Sequence, residues 1–314
     1  DVFLYISFFP QLVAGPIVRA ADFLPQIDRP LSVSGALRGT AVLLILTGLF
    51  KKLVVANYLS VLLVDPVFIF PDGYGTVEAA LAVLGYGVQI YCDFSGYSDI
   101  AIGIALLLGY RFSRNFNQPY RARSLADFWR RWHISLSQFI RDYLYIPLGG
   151  NRGSVTRQSW TLMLTMTLAG LWHGAGWNFV AWGALHGACL LVERGLIRVA
   201  ALRPLSFLAI PSTLLVVLIL WIPFRAADLD NAKAMFAAIL RGTVPTEVPI
   251  LPAVFVLLAL GLAMNWLPLR WRDHVYAVLA QMPVTVQALV LAIGVMLCFA
   301  AAQDGVAPFI YFQF

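Results

Sequence analysis

Pro204-Leu205-Ser206-Phe207-Leu208-Ala209-Ile210-Pro211-Ser212-Thr213-Leu214-Leu215-Val216-Val217-Leu218-Ile219-Leu220-Trp221-Ile222-Pro223-Phe224 runs for 21 residues without a charge. A helix needs roughly 20 apolar residues to cross the hydrocarbon of a bilayer. Leu251–Leu267 and Val284–Ala302 read the same way, and Gly35–Phe50, Val77–Tyr91, Thr161–Trp172 and Trp177–Leu191 are less uniform versions. Inside lipid every backbone amide needs an internal partner, so continuous apolar runs of this kind are helices. A transmembrane barrel would alternate apolar and polar residues instead. The expectation is an all-α, polytopic integral membrane protein.

Composition points the same way. Hydrophobic residues make up 60% of the chain and charged residues 12%, about half the charged share of an ordinary soluble domain. Mean hydropathy is +0.79. A large soluble protein cannot hide that much apolar surface, whereas lipid accepts it. No internal repeat, low-complexity tract or long linker interrupts the chain, so one domain over residues 1–314 is expected. The chain begins at Asp1 with no positively charged n-region ahead of an apolar core, so no signal peptide is read. The first thirty residues, with Pro10, Pro16, Pro25 and Pro30, read as a loop from the middle of a longer protein lacking its N-terminal spans. Cys92, Cys189 and Cys298 lie far apart in apolar segments without metal spacing, and free thiols are expected.

Charge is uneven. Nine of the 22 basic residues fall between Arg111 and Arg157, opposed there only by Asp127 and Asp142. Basic residues near helix ends mark the cytoplasmic side, and Lys51 and Lys52, at the end of the Gly35–Phe50 run, belong there by the same rule. A basic block between apolar spans points to anionic lipid or an anionic substrate rather than nucleic acid. Within it, Phe128, Trp132, Leu136, Phe139 and Tyr143 recur at spacings of 4, 4, 3 and 4. That predicts one amphipathic helix with an aromatic stripe, lying in the membrane interface or dipping partway into the protein and ending at Pro147. The glycine-containing Leu148–Gly153 stretch after it reads as a turn; it lacks a Walker pattern.

Four histidines are available for chemistry. His173 lies in Leu171-Trp172-His173-Gly174-Ala175-Gly176-Trp177, where two apolar segments meet. An ionisable group at membrane depth is costly and is a functional candidate; the plainer reading is a capping or interfacial histidine. His186, inside the next span, is expected to hydrogen-bond between helices. His133 sits beside the aromatic stripe, where it can snorkel to the interface, and His274 reads as a surface loop. In Tyr91-Cys92-Asp93-Phe94-Ser95-Gly96-Tyr97-Ser98-Asp99, two readings stand open. Asp93 and Asp99 could bind a substrate hydroxyl or cation, or Ser95 or Ser98 could cap a helix running to Tyr110. No metal-binding motif is found.

Phe128-Trp129-Arg130-Arg131-Trp132-His133-Ile134-Ser135, then Arg141-Asp142-Tyr143-Leu144-Tyr145-Ile146-Pro147-Leu148-Gly149-Gly150-Asn151-Arg152, then Leu171-Trp172-His173-Gly174, in that order, resemble the membrane-bound O-acyltransferases. The resemblance is strongest to the bacterial branch that holds the alginate O-acetylation protein and the teichoic acid D-alanyl transfer protein. The Ile146–Arg152 form favours the alginate type. The resemblance begins at Phe8–Ile17, takes in Asp93–Asp99 and Trp221–Ala226, and extends to Pro308–Phe314.

It implies a helical ring with re-entrant and interfacial helices around a central tunnel. His173 is then the expected active-site residue and His133 a second one, with Trp129, Arg130, Arg131, Trp172, Asp93 and Ser95 as candidates for holding donor or substrate. The implied activity is acyl transfer, acetyl above all, in a bacterial inner membrane. Acetyl-CoA is the implied cytoplasmic donor, and no cofactor is bound. The acceptor is a hydroxyl of an extracytoplasmic polysaccharide, or a periplasmic acetyltransferase that completes the transfer. Two other classes stay open: an acetyl transporter, and a non-catalytic scaffold for a periplasmic transferase.

Overall fold

The computed structural model describes residues 2–12, 15–28, 32–196, 207–242 and 250–302. Among them the structure is helical throughout, with no strand. Two helices, Gly35–Ile69 and Thr76–Leu107, are long and apolar enough to cross a membrane. Pro252–Trp266 and Arg270–Gln281 form a third such element, bent by 84°, if the pair counts as one span. Ala209–Arg225 and Val284–Ala300 are shorter apolar helices. The runs expected at Gly35–Phe50 and Val77–Tyr91 are thus only the first parts of much longer helices.

The chain forms two compact units, one built from Asp1–Tyr58, Val88–Asn117 and Val256–Gln313, the other from Leu59–Gly87 and Gln118–Phe255. In the first, the proline-rich start is not a loop. It folds into helices Val2–Ser7, Phe9–Leu12 and Ala20–Asp28, the last carrying Pro25 inside it. An aromatic cluster holds them: Phe23 stacks on Tyr110 with ring centroids 5.1 Å apart, and Phe8 meets Tyr110 edge-on at 4.8 Å. Buried aromatic area outweighs the local proline signal here.

Glycines set the approach of the two long helices within this unit. A side chain at Gly48 would collide with the Gly96 carbonyl, and one at Gly96 with the Gly48 carbonyl. Small residues permit such backbone contact between apolar helices. Just beyond, the first helix widens into a π segment, Phe50–Ala56. Lys51 on that segment pairs with Asp99 at 2.7 Å, and Lys52 pairs with Asp93. Lys51 also lies over the Tyr91 ring at 5.5 Å. The lysines therefore do not terminate the first helix, which continues to Ile69. Thr76–Leu107 likewise runs unbroken through Asp93–Asp99, so neither Ser95 nor Ser98 caps a helix. Its middle glycine and serines pack inward, and Ser98 accepts a hydrogen bond from buried Asn115 at 3.1 Å.

The second unit is organised by a helical hairpin, Val155–His173 and Trp177–Leu196. Ser154 starts it by accepting from the Arg157 N–H at 3.2 Å, an N-cap that satisfies one free donor of the first turn. Gly170 and Gly183 face each other so closely that a Cβ on either would strike a backbone carbonyl of the partner helix. Ala209–Arg225 packs beside the hairpin. The carbonyls left without an intrahelical partner at its C-terminal end are met by Asn178, which donates to Pro223 O at 3.3 Å and to Ala226 O at 2.9 Å.

The predicted single amphipathic helix is broken. Leu125–Arg131 and Ile134–Ile140 are separate helices, followed by a π segment, Arg141–Tyr145. The break falls at His133, whose backbone is left-handed at φ +39°. The turn after Pro147 forms as expected, with Gly149 at φ +119° and Gly153 at φ +86°, conformations that glycine alone takes without strain. His274 is exposed, but on the helix Leu269–Gln281 rather than in a loop. All three cysteines are free thiols, Cys92 buried. Pro308–Phe314 lies outside the described residues.

Candidate active site

His173 ends its helix where Gly174 turns the chain toward Trp177. Its imidazole is ringed by Trp172, Trp182 and Phe224, with centroids at 5.0, 5.1 and 5.2 Å. The side chain lines a cavity of about 210 Å³, whose walls include Trp129, Leu136, Met166 and Leu190 and which also touches Arg141, Tyr145 and Arg194. Apolar walls with a few polar groups are the usual make-up of a small-molecule site. Both His133 and His186 lie close enough to His173 to interact with it electrostatically.

Each histidine arrives by a different route. His133 is buried, 5% exposed, and its left-handed backbone sets it between two short helices. Histidine tolerates that region better than bulky or β-branched residues, and such outliers gather at functional sites. The helix before it is fixed at its N-terminus twice over. Ser124 accepts from Asp127 N at 3.0 Å, and Glu193 of the hairpin accepts from Leu125 N and Ala126 N. One carboxylate thus ties the Trp129–His133 segment to the helix that carries Trp182 and His186.

His186 is 1% exposed and does lie between helices, facing Trp129 at 5.2 Å and Trp182 at 4.9 Å. The expected hydrogen bond is not made: neither ring nitrogen has a partner among the described residues.

The structure sets His173 and Trp129 at one cavity and Trp172 at a neighbouring one with Phe139 and Tyr143, while His133 lines neither cavity and is linked to the site by its electrostatic interaction with His173. Arg130 is largely exposed, and Arg131 pairs with Asp127 at 3.0 Å. Asp93 and Ser95 belong to the first unit, where Asp93 meets Lys52 and Ser95 is buried. Sequence reasoning missed Arg194 and Tyr145, which stand 3.5 Å apart at the cavity. A signal was present: Trp182, His186, Leu190 and Arg194 recur every four residues, one stripe of a helix. Reading His186 only against His173, thirteen residues back, concealed it.

The family described as "MBOAT, membrane-bound O-acyltransferase family" matches residues 1–226, so the match ends close to Phe224 and does not extend to the C-terminus. The chain is 45% identical over 239 residues to the probable alginate O-acetylase AlgI of Azotobacter vinelandii, covering 76% of this chain and 47% of that protein. It is 46% identical over 239 residues to the protein of the same name in Pseudomonas aeruginosa, covering 76% of this chain and 45% of the other. The peptidoglycan O-acetyltransferase of Helicobacter pylori is 42% identical over 239 residues, covering 74% of this chain and 45% of that protein. The chain spans about half the length of the curated relatives it matches. With the tryptophan-histidine-glycine motif set at a lined cavity and the family match running through it, the chain belongs to the membrane-bound O-acyltransferase family.

Proposed function

We propose that this chain carries the active site of an inner-membrane O-acyltransferase, acting as one family domain, that transfers an acetyl group from a cytoplasmic donor to an extracytoplasmic hydroxyl. The observation that carries the reading is His173 at a mostly apolar cavity that also presents Arg141 and Arg194. An acyl thioester fits that chemistry. The anionic part of acetyl-CoA pairs with the arginines, and its apolar arm lies along Leu136, Met166 and Leu190 toward His173. His173 takes the proton of the attacking hydroxyl and passes it to the departing thiolate. His133 assists from its buried position. The acceptor is a hydroxyl of a polysaccharide such as alginate, or of a partner acetyltransferase that completes the transfer outside. In this reading the remaining family spans complete a helical ring around the tunnel.

The test uses the complete protein in its membrane. His173→Gln keeps size and some hydrogen bonding but cannot shuttle a proton at neutral pH. Acetylation should fall by about 10²–10⁴-fold, with inserted protein near the wild-type level. Normal acetylation by His173→Gln would overturn the catalytic role and favour a scaffold. Sidedness is read separately. Cysteines at Arg123 and Arg152, in a background without native cysteines, should resist membrane-impermeant thiol reagents in intact cells. Ready labelling from outside would reverse the orientation.

A further inference from the structure

Three rings beside His173 hold four buried nitrogens that no role described so far uses. Trp129, Trp182 and His186 lie with centroids 4.9, 5.2 and 5.9 Å apart. The Nε1 atoms of both tryptophans, and Nδ1 and Nε2 of His186, are buried without a hydrogen-bond partner among the described residues. Buried indole N–H groups ordinarily find a partner. A lone buried unsatisfied group calls for an explanation, and four on three touching rings call for a common one. Packing alone does not supply it, because purely apolar side chains could be packed there without the desolvation penalty.

Position and donor type narrow the chemistry. Trp129 lines the same cavity as His173, and Trp182 meets His173 edge-on at 5.1 Å. A neutral imidazole has one N–H and one acceptor nitrogen. The set therefore offers three N–H donors and one acceptor, with no charged side chain among them. Such a set suits a polar oxygen that gains negative charge during reaction and is neutral before it.

We infer that Trp129, Trp182 and His186 form an oxygen-binding subsite that holds the carbonyl oxygen of the acyl donor. The inference rests on the acyl-transfer reading above and deepens it. As the acceptor hydroxyl oxygen bonds to the carbonyl carbon, the carbonyl π pair moves onto its oxygen, and the N–H groups stabilise the resulting oxyanion. The hydroxyl proton goes to His173. When the tetrahedral centre collapses, the pair returns, the carbon–sulfur bond breaks, and the thiolate leaves with the proton from His173. His186 is on this account a substrate-binding residue rather than an interhelical brace.

The experiment compares aromatic and polar replacements in the full-length protein, scoring acetylation per inserted molecule. His186→Phe keeps an aromatic ring and removes both nitrogens; it should lower the rate by about 10²–10³-fold, the usual effect of losing an oxyanion donor. His186→Gln restores an N–H and should recover at least about tenfold of that loss. Wild-type rate in His186→Phe overturns the subsite and leaves His186 as packing around an enclosed water.

If His186→Phe does not insert, Trp129→Phe reads the subsite from the cavity side, with the same expected and overturning results. A binding measurement needs no variant. Wild type should bind a CoA analogue whose thioester is replaced by a methyl ketone about tenfold more tightly than S-ethyl-CoA, which lacks the carbonyl. Equal binding of the two overturns the proposal. Binding of neither, with acetylation still lost in His186→Phe or Trp129→Phe, removes CoA as donor and keeps the subsite. Loss of the His173→Gln effect removes the parent reading instead.

Discussion

In the first unit, Lys51 and Lys52 are largely buried and each meets an aspartate of the neighbouring helix. In the second, His186 is buried more deeply, its ring packs on those of Trp129 and Trp182, and neither ring nitrogen has a hydrogen-bond partner among the described residues. The difference follows from what each group loses on leaving water. A buried ammonium without a counter-charge costs several kcal/mol or more, so the fold must supply one at once. A neutral imidazole or indole loses about 1–3 kcal/mol when unpaired. A fold can carry that penalty and recover it when a ligand arrives. On the inference above, the Lys51–Asp99 and Lys52–Asp93 pairs read as structure, and the neutral rings without a partner among the described residues as a site.

That contrast can be broken most directly at Asp99. Asp99→Ala strands Lys51 and should destabilise the protein by about 3–5 kcal/mol, lowering its abundance and its melting temperature in detergent. Replacing both partners, Lys51→Met with Asp99→Leu, should recover most of the stability. If the double variant is stable yet inactive, the pair takes part in function, and the division between the two clusters fails.

At Gly183 the second unit is tested as a frame for its site. Gly183→Ala places a methyl group against the Met166 carbonyl and should cost about 1–3 kcal/mol through overpacking. Because the hairpin carries both His173 and His186, specific activity should fall along with thermal stability. An unchanged specific activity would separate the site from hairpin packing.

The arginines sharpen the comparison further. Arg194 lies at the cavity beside Tyr145, whereas Arg130 is 71% exposed near Asp127. Arg194→Ala should raise the donor concentration needed for half-maximal rate by at least about tenfold, as expected for a charge-assisted hydrogen bond. Arg130→Ala should change it less than about fivefold, with the effect shrinking further at high salt. The reverse order would return the donor site to the Trp129–Arg131 motif. His274→Ala, on an exposed helix face, should stay within about 0.5 kcal/mol of wild type and keep full activity.

Legibility tracked the range of the cause. The place of His173 at a helix end could be read because the residue sits in a contiguous motif between two apolar segments. The break at His133 could not, since the aromatic stripe from Phe128 to Tyr143 has helical period on both sides of it. Only the left-handed residue between the two short helices shows that the stripe is not one helix. The proline-rich start misled for a related reason: Phe8 and Phe23 bury themselves against Tyr110 and Phe112, far along the chain.

Composition and apolar run length by themselves determined that this is an all-helical membrane protein, because lipid leaves the backbone no other partner than itself. Motif order determined the family resemblance and pointed to His173 and His133. Tertiary structure alone decided which polar groups meet. Asp99 finds Lys51 across 48 residues, Glu193 finds the Leu125 amide across 68, and His186 comes to rest on Trp129. Periodicity shows which face of a helix is apolar, but not which other helix will cover it. Here glycine contacts such as Gly48 with Gly96 and Gly170 with Gly183 set how closely backbones approach, and so which side chains come within reach.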